Sequence, residues 1–313
     1  MRILITGASG LIGGRLAVYL SRAGHQLTLV SRNSMQLPAC LSSAKLDRID
    51  WYDELSLRHS CDSVDAIIHA AGMNSMESSK DPVGALAFNG LATARLASIA
   101  NLAGVKKFIY ISTAHVYESP LVGYFSEDSC VRNLHPYASS HHAGEQFLLG
   151  SNEDRKIQTI VLRLSNAFGA PIDKRVNCWG LLANDLCRQA VLNGQLELSS
   201  SGIQERDFIN IGLVCKVVEY LLLQELHDAS SQVFNVGSGV SRSVRMMAEL
   251  IQSRCVRLLK YKPNLVSSDD AAEEDYGHLN YSVEKIKSLG IGISDLEFID
   301  EIDNLILFCK KYF

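Results

Sequence analysis

The opening of the chain constrains its fold more than any other stretch. Apolar residues 3–5 run directly into a segment with glycine at positions 7, 10 and 13. The apolar run predicts a buried strand, and the apolar pattern that follows predicts a helix beginning near Leu11. Glycines let a bound group approach the backbone closely, and the first amides and dipole of the helix favour a pyrophosphate. The segment predicts a turn that binds a group with a pyrophosphate; the alternative is a glycine-rich turn that holds no ligand.

Up to about residue 165 the chain alternates short apolar runs with amphipathic stretches. Runs such as 66–68 and 108–111 are apolar on both faces, as a sheet covered by helices on both sides requires. The predicted strands are 2–6, 26–31, 45–49, 64–70, 107–112 and 157–163. The predicted helices are 11–23, 53–60, 83–103 and 134–150. This alternation indicates an α/β protein with a doubly wound parallel sheet.

Beyond residue 165 the alternation is less regular. The predicted elements there are helices at 178–194 and 213–225, strands at 196–199 and 233–236, and a further segment at 207–211. Ser241 is expected to cap a helix that runs to about residue 255. Ser282 is expected to cap another helix, which ends at Gly290. The acidic stretch 269–275 is interpreted as a solvated loop.

Composition and charge narrow the class of protein. A chain of 313 residues can bury a large core in one large or two unequal domains. The formal net charge of −4 gives no sign of nucleic acid or of an anionic membrane as a partner. The eight cysteines lack metal-binding spacing, so no metal site is predicted and a reducing compartment is indicated. No signal peptide and no uninterrupted apolar run of transmembrane length are recognised, so a cytoplasmic protein is expected.

Seven motifs, in order along nearly the whole chain, resemble those of a known family. The first is Thr6-Gly-Ala-Ser-Gly-Leu-Ile-Gly13, and the others lie at 69–72, at Asn89 with Thr93, and at 112–117, 162–169, 206–211 and 234–239. They resemble the extended short-chain dehydrogenases/reductases of the nucleotide-sugar epimerase/dehydratase group. The resemblance implies a Rossmann-like NAD(P)-binding domain at residues 1–165 and about 206–236. A smaller C-terminal substrate-binding domain would comprise residues 166–205 and 237–313.

The resemblance also implies which residues meet the ligands. The implied cofactor-binding residues include Gly7, Ser9, Gly10, Leu11, Ile12, Gly13, Ala70, Ala71, Gly72 and Asn89. The substrate would be a nucleoside-diphosphate sugar, with Asn166 and Arg206 at its diphosphate, since an arginine fork donates two parallel hydrogen bonds. A salt bridge of Arg206 with Asp207 or Glu205 is the alternative. A homodimer paired through the helices at 83–103 and 134–150 is implied as well.

The end of the second strand bears on which dinucleotide binds. An acidic residue about twenty positions after the glycines commonly binds the adenosine ribose 2′-hydroxyl. Ser31 and Arg32 stand there instead, and Arg32 can meet a 2′-phosphate, so NADP is favoured over NAD. If Arg32 is simply solvated, the choice stays open. Asp50 matches a position that commonly contacts adenine in the family, or it caps the helix that begins near Asp53.

The resemblance implies that Thr113, Tyr137 and His141 form the catalytic group. In the family the tyrosine moves the proton, and a serine or threonine fixes the same oxygen. A lysine four residues after the tyrosine holds the nicotinamide ribose and acidifies the phenol. His141 occupies the lysine position, and an ordinary imidazole is mostly neutral at pH 7. Three interpretations follow: His141 is a weaker partner, His142 shares the task, or the site binds cofactor without efficient turnover.

The loop before the tyrosine narrows the reaction. Nucleotide-sugar 4,6-dehydratases of the family carry an Asp-Glu pair where this chain has Ala114 and His115, so dehydration is not expected. His115 is either a second acid/base beside the sugar or a residue that packs in the loop. Three functions remain: an NADP(H)-dependent keto-sugar reductase, which is favoured; a 4-epimerase with tightly held NAD; and a silent dinucleotide-binding protein.

Overall fold

The computed structural model describes residues 1–31, 37–150, 157–224, 232–267 and 277–313. Its strands are β1 (Arg2–Thr6), β2 (Gln26–Val30), β3 (Lys45–Asp47), β4 (Ala66–His69), β5 (Lys107–Thr113), β6 (Gly123–Phe125), β7 (Gln158–Leu164), β8 (Asn166–Phe168), β9 (Gln195–Leu198), β10 (Glu205–Asn210), β11 (Gln232–Val236), β12 (Ser241–Ser243), β13 (Asn264–Ser267) and β14 (Leu279–Tyr281). Its helices are α1 (Leu11–Arg22), α2 (Glu54–Cys61), α3 (Ser75–Lys80), α4 (Pro82–Ala85), α5 (Thr93–Leu102), α6 (Pro136–Gly150), α7 (Leu182–Asn193), α8 (Ile211–Leu223), α9 (Val244–Leu259), α10 (Glu284–Lys287) and α11 (Asp295–Tyr312). A π-helical segment, Leu86–Ala92, joins α4 to α5, and 3-10 turns lie at Ala39–Leu41 and Ala114–Val116.

Within the described residues, the largest sheet has seven strands in the order β11-β7-β5-β4-β1-β2-β3. Strand β1 pairs in parallel with both β2 and β4, so the strand order reverses at β1. Such a reversal is the topology of dinucleotide-binding α/β folds. Every residue of β4 and β5 is buried, which explains why both strands are apolar on both faces. The prediction of an α/β protein with a doubly wound parallel sheet is confirmed.

The described chain divides into two compact units. The first comprises Met1–Ser119, Ser129–Leu164 and Cys215–Phe234, and the second comprises Pro120–Asp128, Ser165–Val214 and Asn235–Phe313. In the first unit, buried residues of the parallel strands, such as Phe108, pack against Leu96 of α5. In the second unit, α7, α9 and α11 enclose a separate apolar core around Phe168. The role of the second unit in substrate binding stays a prediction.

Two predicted helix caps are wrong. The cap of α9 is Ser243, whose Oγ accepts a hydrogen bond from the amide of Met246 at 3.0 Å. Ser241 is instead drawn into β12, where it pairs with Asp207 of β10. The cap of α10 is Val283 rather than Ser282, and that helix is only four residues long. Ser241 pairs with β10, and the amide of Ser282 donates to the carbonyl of Phe125 in β6. A local capping pattern does not include such distant partners.

Other boundaries also differ from the predictions. The helix predicted at 178–194 begins at Leu182 and ends at Asn193, and Gly194 follows it in the left-handed conformation of a C-terminal cap. Gly290 is left-handed too, with φ of 83°, and lies beyond the end of α10. Helices α3 and α11 were missing from the predicted set. Arg32, residue 225 and the acidic stretch 269–275 lie outside the described residues.

Among the described residues, the helical stretch Pro82–Leu102 is long and apolar enough to cross a membrane. This stretch is not an uninterrupted apolar run, since it contains Asn89, Thr93 and Arg95. Half of the relevant window is buried inside the protein, and the stretch includes the fully buried polar residues Asn89 and Thr93. Core helices of soluble proteins pass the same test, so this is weak support for a membrane span.

Candidate cofactor and active site

The glycine turn after β1 is shaped by close backbone contacts. Gly7 has φ of 69°, and a Cβ atom there would lie 2.5 Å from the carbonyl oxygen of Ala70. A Cβ on Gly13 would lie 2.3 Å from the carbonyl oxygen of Gly7. Gly10 is the N-cap of α1 and offers no side-chain cap, which leaves the first-turn amides for an external acceptor. This geometry fits the diphosphate of a dinucleotide.

A cleft lies at the carboxyl ends of the central strands, where α/β sheets bind their ligands. It is lined by Gly7, Ser9, Gly10, Val30, Ser31, Ile49, Trp51, Ala70, Ala71, Gly72 and Phe88. The structure thus brings together seven of the residues that we predicted to bind the cofactor, while Leu11, Ile12 and Gly13 form the adjoining first turn of α1. Trp51 and Phe88 were missed; their rings pack edge to face, 5.4 Å apart. The sequence signal that could have found Trp51 is the pair of apolar residues on either side of Asp50, Ile49 and Trp51.

Asp50 itself is not among the residues that line the cleft. Its Oδ1 accepts a hydrogen bond from the amide of Tyr52 at 2.9 Å. The cap of α2 is Asp53, whose side chain accepts from two amides of the first turn, so the alternative that Asp50 caps this helix is wrong. Contact of Asp50 with adenine stays a prediction, as does any contact of Arg32, which lies outside the described residues.

A buried hydrogen-bond chain supports the floor of the cleft. The hydroxyl of Thr93 donates to the carbonyl of Asn89 at 2.7 Å, so it accepts from Nε2 of His69 at 2.9 Å. His69 Nδ1 then accepts from Thr6 Oγ1 at 2.7 Å, and that oxygen accepts from the amide of Ala71 at 3.2 Å. Burial lowers the pKa of His69 to about 3, so its imidazole is neutral. These hydrogen bonds hold the segment that follows β4 in place.

Asn89 lies in the π-helical segment and is completely buried. Its Oδ1 accepts from the amide of Met73 at 2.7 Å, and its Nδ2 donates to Ser140 Oγ at 3.0 Å. The side chain therefore ties the loop after β4 to α6. π-Helical segments often occur at functional sites. A direct contact of Asn89 with the cofactor stays a prediction.

Tyr137 lies near the start of α6, next to the end of β5. The hydroxyl of Thr113 hydrogen-bonds the phenol and acts to lower its pKa, but burial outweighs this and raises the pKa of Tyr137. No charged group contributes to that pKa among the described residues. The phenol is therefore a proton donor in the resting protein. Thr113 Oγ1 also accepts from the amide of His115 at 3.2 Å and so caps the 3-10 turn.

His141 lies one helical turn after Tyr137, and the two rings meet edge to face with centroids 4.7 Å apart. Burial lowers the pKa of His141 to about 4, so it is a neutral imidazole at pH 7. Its Nδ1 lies 2.8 Å from the hydroxyl of Tyr110. His142 instead pairs with Gln146 on the exposed side of α6, which does not support a role beside Tyr137.

Beneath the site, a buried ion pair joins α6 to β7. Arg163 donates to both carboxylate oxygens of Glu145, with the shortest bond at 2.7 Å, and Glu145 also accepts from Ser112. The Arg163 guanidinium lies 4.8 Å from the centre of the Tyr117 ring. These contacts explain the serine and the tyrosine of the motif at 112–117 and the arginine of the motif at 162–169: they hold α6 against the sheet.

Arg206 lies in the second unit, on β10. Its Nη2 donates to Gln204 Oε1 at 3.1 Å, and burial lowers the pKa of its guanidinium. Asp207 is buried and bonded to Ser165 and Ser238, so the alternative of a salt bridge from Arg206 to this residue is wrong. Glu205, the other alternative partner, accepts instead from the amide of Leu279 at 2.9 Å.

Two further groups bear on what the second unit can bind. The side chain of Asn166 donates to the carbonyl of Asp207 at 2.9 Å. Arg242 lies directly opposite Arg206 across the β10–β12 pair and on the same face, a neighbour that sequence patterns gave no means to find. Its Nη1 is buried without a hydrogen-bond partner among the described residues.

The part of the chain that the structure describes holds no cluster of three or more metal-ligating side chains.

Comparison with known proteins agrees with this geometry. The chain matches the NAD dependent epimerase/dehydratase family over residues 3–237. It is 29% identical over 316 aligned residues to the dTDP-D-glucose 4,6-dehydratase of Mus musculus, covering 92% of this chain and 83% of that protein. It is 30% identical to the UDP-glucose 4-epimerase of Mycolicibacterium smegmatis, covering 78% of this chain and 80% of that protein. A UDP-glucuronic acid 4-epimerase from Bacillus cereus, solved with UDP-glucuronic acid and NAD, superposes with a TM-score of 0.81 at 21% identity over 100% of both chains.

The protein therefore belongs to the NAD dependent epimerase/dehydratase family, a class of Rossmann-fold enzymes. The resemblance to extended short-chain dehydrogenases/reductases is confirmed, and within that class the chain is similar to nucleotide-sugar epimerases and dehydratases. Because its relatives include dehydratases, the comparisons do not support excluding dehydration. The Bacillus cereus neighbour binds NAD, and preference for NADP has no specific support.

Proposed function

We propose that the protein reduces the keto group of a nucleotide-activated sugar with a reduced nicotinamide dinucleotide. The observation that carries this proposal is the half-buried phenol of Tyr137, whose pKa is raised by burial with no contribution from a charged group among the described residues. Reduction of a carbonyl needs a proton donor, whereas oxidation of an alcohol needs a base. A phenol whose pKa is raised suits reduction.

Each residue would then have a defined task. The bound dinucleotide supplies the hydride. The amides at the start of α1 and the cleft around Gly7 would hold its diphosphate, which the close backbone contacts there allow. Tyr137 would donate its proton to the carbonyl oxygen, and Thr113 would hydrogen-bond the same oxygen. His141 would hold the cofactor as a neutral hydrogen-bonding partner in place of the lysine.

The substrate that we infer is a nucleoside-diphosphate sugar. Arg206 has a partly buried guanidinium, no carboxylate partner among the described residues, and a pKa lowered by burial. An anionic ligand would compensate that burial, and a diphosphate matches the fork of donors. Asn166 and Arg242 lie on the same sheet and would complete the polar surface. The nucleotide sugars named in the relatives support this class.

A 4-epimerase with tightly held NAD is the second candidate. Two curated relatives with this name, from Mycolicibacterium smegmatis and Bacillus subtilis, support it. Ala114 and His115 replace the acid pair of the dehydratases, which favours an epimerase or a reductase over a dehydratase.

The test is an assay of the purified protein with 4-keto and 4-hydroxy forms of UDP- and dTDP-hexoses. A reductase consumes NADPH or NADH, seen as falling absorbance at 340 nm, with the keto substrates only. An epimerase interconverts the 4-hydroxy sugars without net consumption of cofactor, and bound NAD copurifies with it. A dehydratase releases water from the 4-hydroxy sugar and forms a 4-keto product.

Tyr137→Phe should abolish turnover and should retain cofactor binding. Absence of any turnover in the wild type would overturn the proposal in favour of a silent binding protein.

We also infer NADP as the preferred cofactor, because residues 31–32 offer no carboxylate to the ribose. A comparison of NADPH and NADH affinities in the wild type and in Arg32→Ala checks this preference. Tighter binding of NADPH that is lost in the variant is the expected result. Tighter binding of NADH by the wild type would contradict it.

The homodimer and the cytoplasmic location are proposals too. Val83, Leu86, Leu91 and Phe147 expose large apolar side chains on the two helical stretches that the resemblance assigns to the interface. Light scattering should give the mass of a dimer for the wild type and that of a monomer for Leu91→Asp.

The proposal of a cytoplasmic location is supported by the cysteines: all eight are free thiols, which suits a reducing compartment.

A further inference from the structure

We propose that Tyr110 is a positioning residue that fixes the tautomer of His141, so that its Nε2–H faces the cofactor cleft. A neutral imidazole would thereby donate a hydrogen bond to the bound dinucleotide where the family has a lysine. The inference rests on the proposed function in one respect, that a dinucleotide occupies the cleft. The tautomer itself can be tested without ligand.

The two side chains are locked together in the core of the first unit. The Tyr110 hydroxyl and His141 Nδ1 are 2.8 Å apart, and Tyr110 is only 1% exposed. The Tyr110 ring lies between two imidazoles, with centroids 5.4 Å from His69 and 5.8 Å from His141. Both pairs of rings are inclined by only 23°. This stack leaves the tyrosine little freedom to turn away from Nδ1.

The direction of the hydrogen bond follows from the competing acceptors. The Tyr110 hydroxyl has one proton and three acceptors within reach: His141 Nδ1 at 2.8 Å, the carbonyl of Asn89 at 3.4 Å and the hydroxyl of Thr93. The Thr93 hydroxyl already accepts from His69 Nε2 at 2.9 Å, and the carbonyl of Asn89 already accepts from Thr93 at 2.7 Å. The phenol therefore donates to Nδ1, and a neutral imidazole that accepts at Nδ1 carries its proton at Nε2.

The proton on Nε2 points to a ligand rather than to the protein. Toward the described residues Nε2 makes no hydrogen bond, and the Cε1–Nε2 edge lies against Gly72, which lines the cleft. A Cβ atom on Gly72 would be 3.4 Å from Cε1 and 3.5 Å from Nε2. Nε2 is not among the fully buried nitrogen and oxygen atoms that lack a partner in the described residues, so it remains accessible to a ligand. An acceptor on the bound dinucleotide, such as a ribose hydroxyl, fits this place.

The first test is ¹⁵N NMR of histidine-labelled protein without ligand, with the His141 signals identified by their loss in His141→Gln. We expect Nε2 to carry the proton in the wild type and Tyr110→Phe to give a mixture of both tautomers. Tyr19→Phe is the matched control, since it removes a hydroxyl bonded to Glu219 at 2.9 Å in the same unit. A proton on Nδ1 in the wild type would overturn the proposal, and this result needs no variant to fold.

The second test is a double-mutant cycle on NADPH and NADH affinity. Tyr110→Phe should weaken binding about 3- to 10-fold, the effect of one hydrogen bond, and should have no further effect when His141 is already Gln. Equal loss in both backgrounds would show a structural role only and would overturn the inference. If the affinities behave as expected but no keto-sugar is reduced, the proposed function fails and this inference stands.

Discussion

The replacement of a lysine by His141 changes the charge next to the tyrosine. In the structure both Tyr137 and His141 are neutral, and burial is the cause in each case. The sequence identified the replacement and predicted a mostly neutral imidazole. It did not indicate how strongly burial enforces that state, because burial depends on residues such as Tyr110 that come from a distant strand.

The first prediction concerns His141→Lys. An ammonium one turn from the phenol lowers the pKa of Tyr137, since it stabilises the phenolate. Reductase activity should be retained or raised near pH 7. As the pH rises further, the activity should begin to decline at a lower pH than it does in the wild type. Profiles of kcat against pH measure this. His142→Lys, on the exposed side of α6, should leave the profile unchanged, and complete inactivity of His141→Lys would show that the imidazole has a role of its own.

A second prediction concerns Arg206→Gln. Charge-assisted hydrogen bonds contribute about 1.5–3 kcal/mol, so KM for the sugar nucleotide should rise about 10- to 150-fold, while NADPH affinity stays unchanged. Arg175→Gln is the control, because its side chain is 65% exposed and pairs only with Asp173 among the described residues. An unchanged KM in Arg206→Gln would remove this residue from the substrate site.

At the scale of elements, the strand–turn–helix unit at the start of the chain was predictable because most of its requirements are local. The contact of Gly13 with Gly7 lies within the first 13 residues, and the contact of Gly7 with Ala70 adds a tertiary requirement at a position that is already glycine. The caps of α9 and α10 were not predictable, since Ser241 and Ser282 serve strands that pair over long distances in the sequence. The Asn89 side chain that ties the π-helical segment to α6 also has partners outside its own element.

The third prediction follows from the packing of α1 on its own turn. In Gly13→Ala the new methyl group would lie 2.3 Å from a backbone carbonyl, so the helix must shift away from β1. Overpacking of this kind costs about 1–3 kcal/mol, and cofactor affinity should fall with it. Thermal unfolding and NADPH titration measure the two effects. Gly150→Ala, where a Cβ meets no atom within 4 Å, should leave the cofactor affinity unchanged and should not lower the stability.

At the scale of the whole molecule, two buried neutral histidines make stability depend on pH. His69 and His141 have pKa values of about 3 and about 4 in the folded protein, below the ordinary value of 6.5. Between pH 6.5 and 4 the unfolded chain therefore binds more protons at these positions than the folded protein. Stability is fully present above pH 6.5 and is lost as the pH falls, by up to ~1.4 kcal/mol per pH unit for each histidine.

This fourth prediction can be measured by urea unfolding at pH 7, 6 and 5. The two tryptophans lie in different units, so a Trp179→Phe background makes Trp51 fluorescence report on the first unit. His141→Gln should reduce the slope of stability against pH, whereas His278→Gln, at an exposed side chain, should not. A slope that is the same in all three proteins would contradict the assignment.

The class of fold, the dinucleotide-binding turn and the family could be predicted from the order of the residues, because they depend on periodicity and on motifs with largely local backbone geometry. The protonation states of the buried side chains, the partners of the carboxylates and the contacts of His141 depend on the tertiary contacts. Tyr110 and His141 are 31 residues apart, and Asp207 is taken by Ser165 and Ser238 rather than by its neighbour Arg206. Burial and hydrogen-bond partners arise when distant segments meet, and no local pattern of residues contains that information.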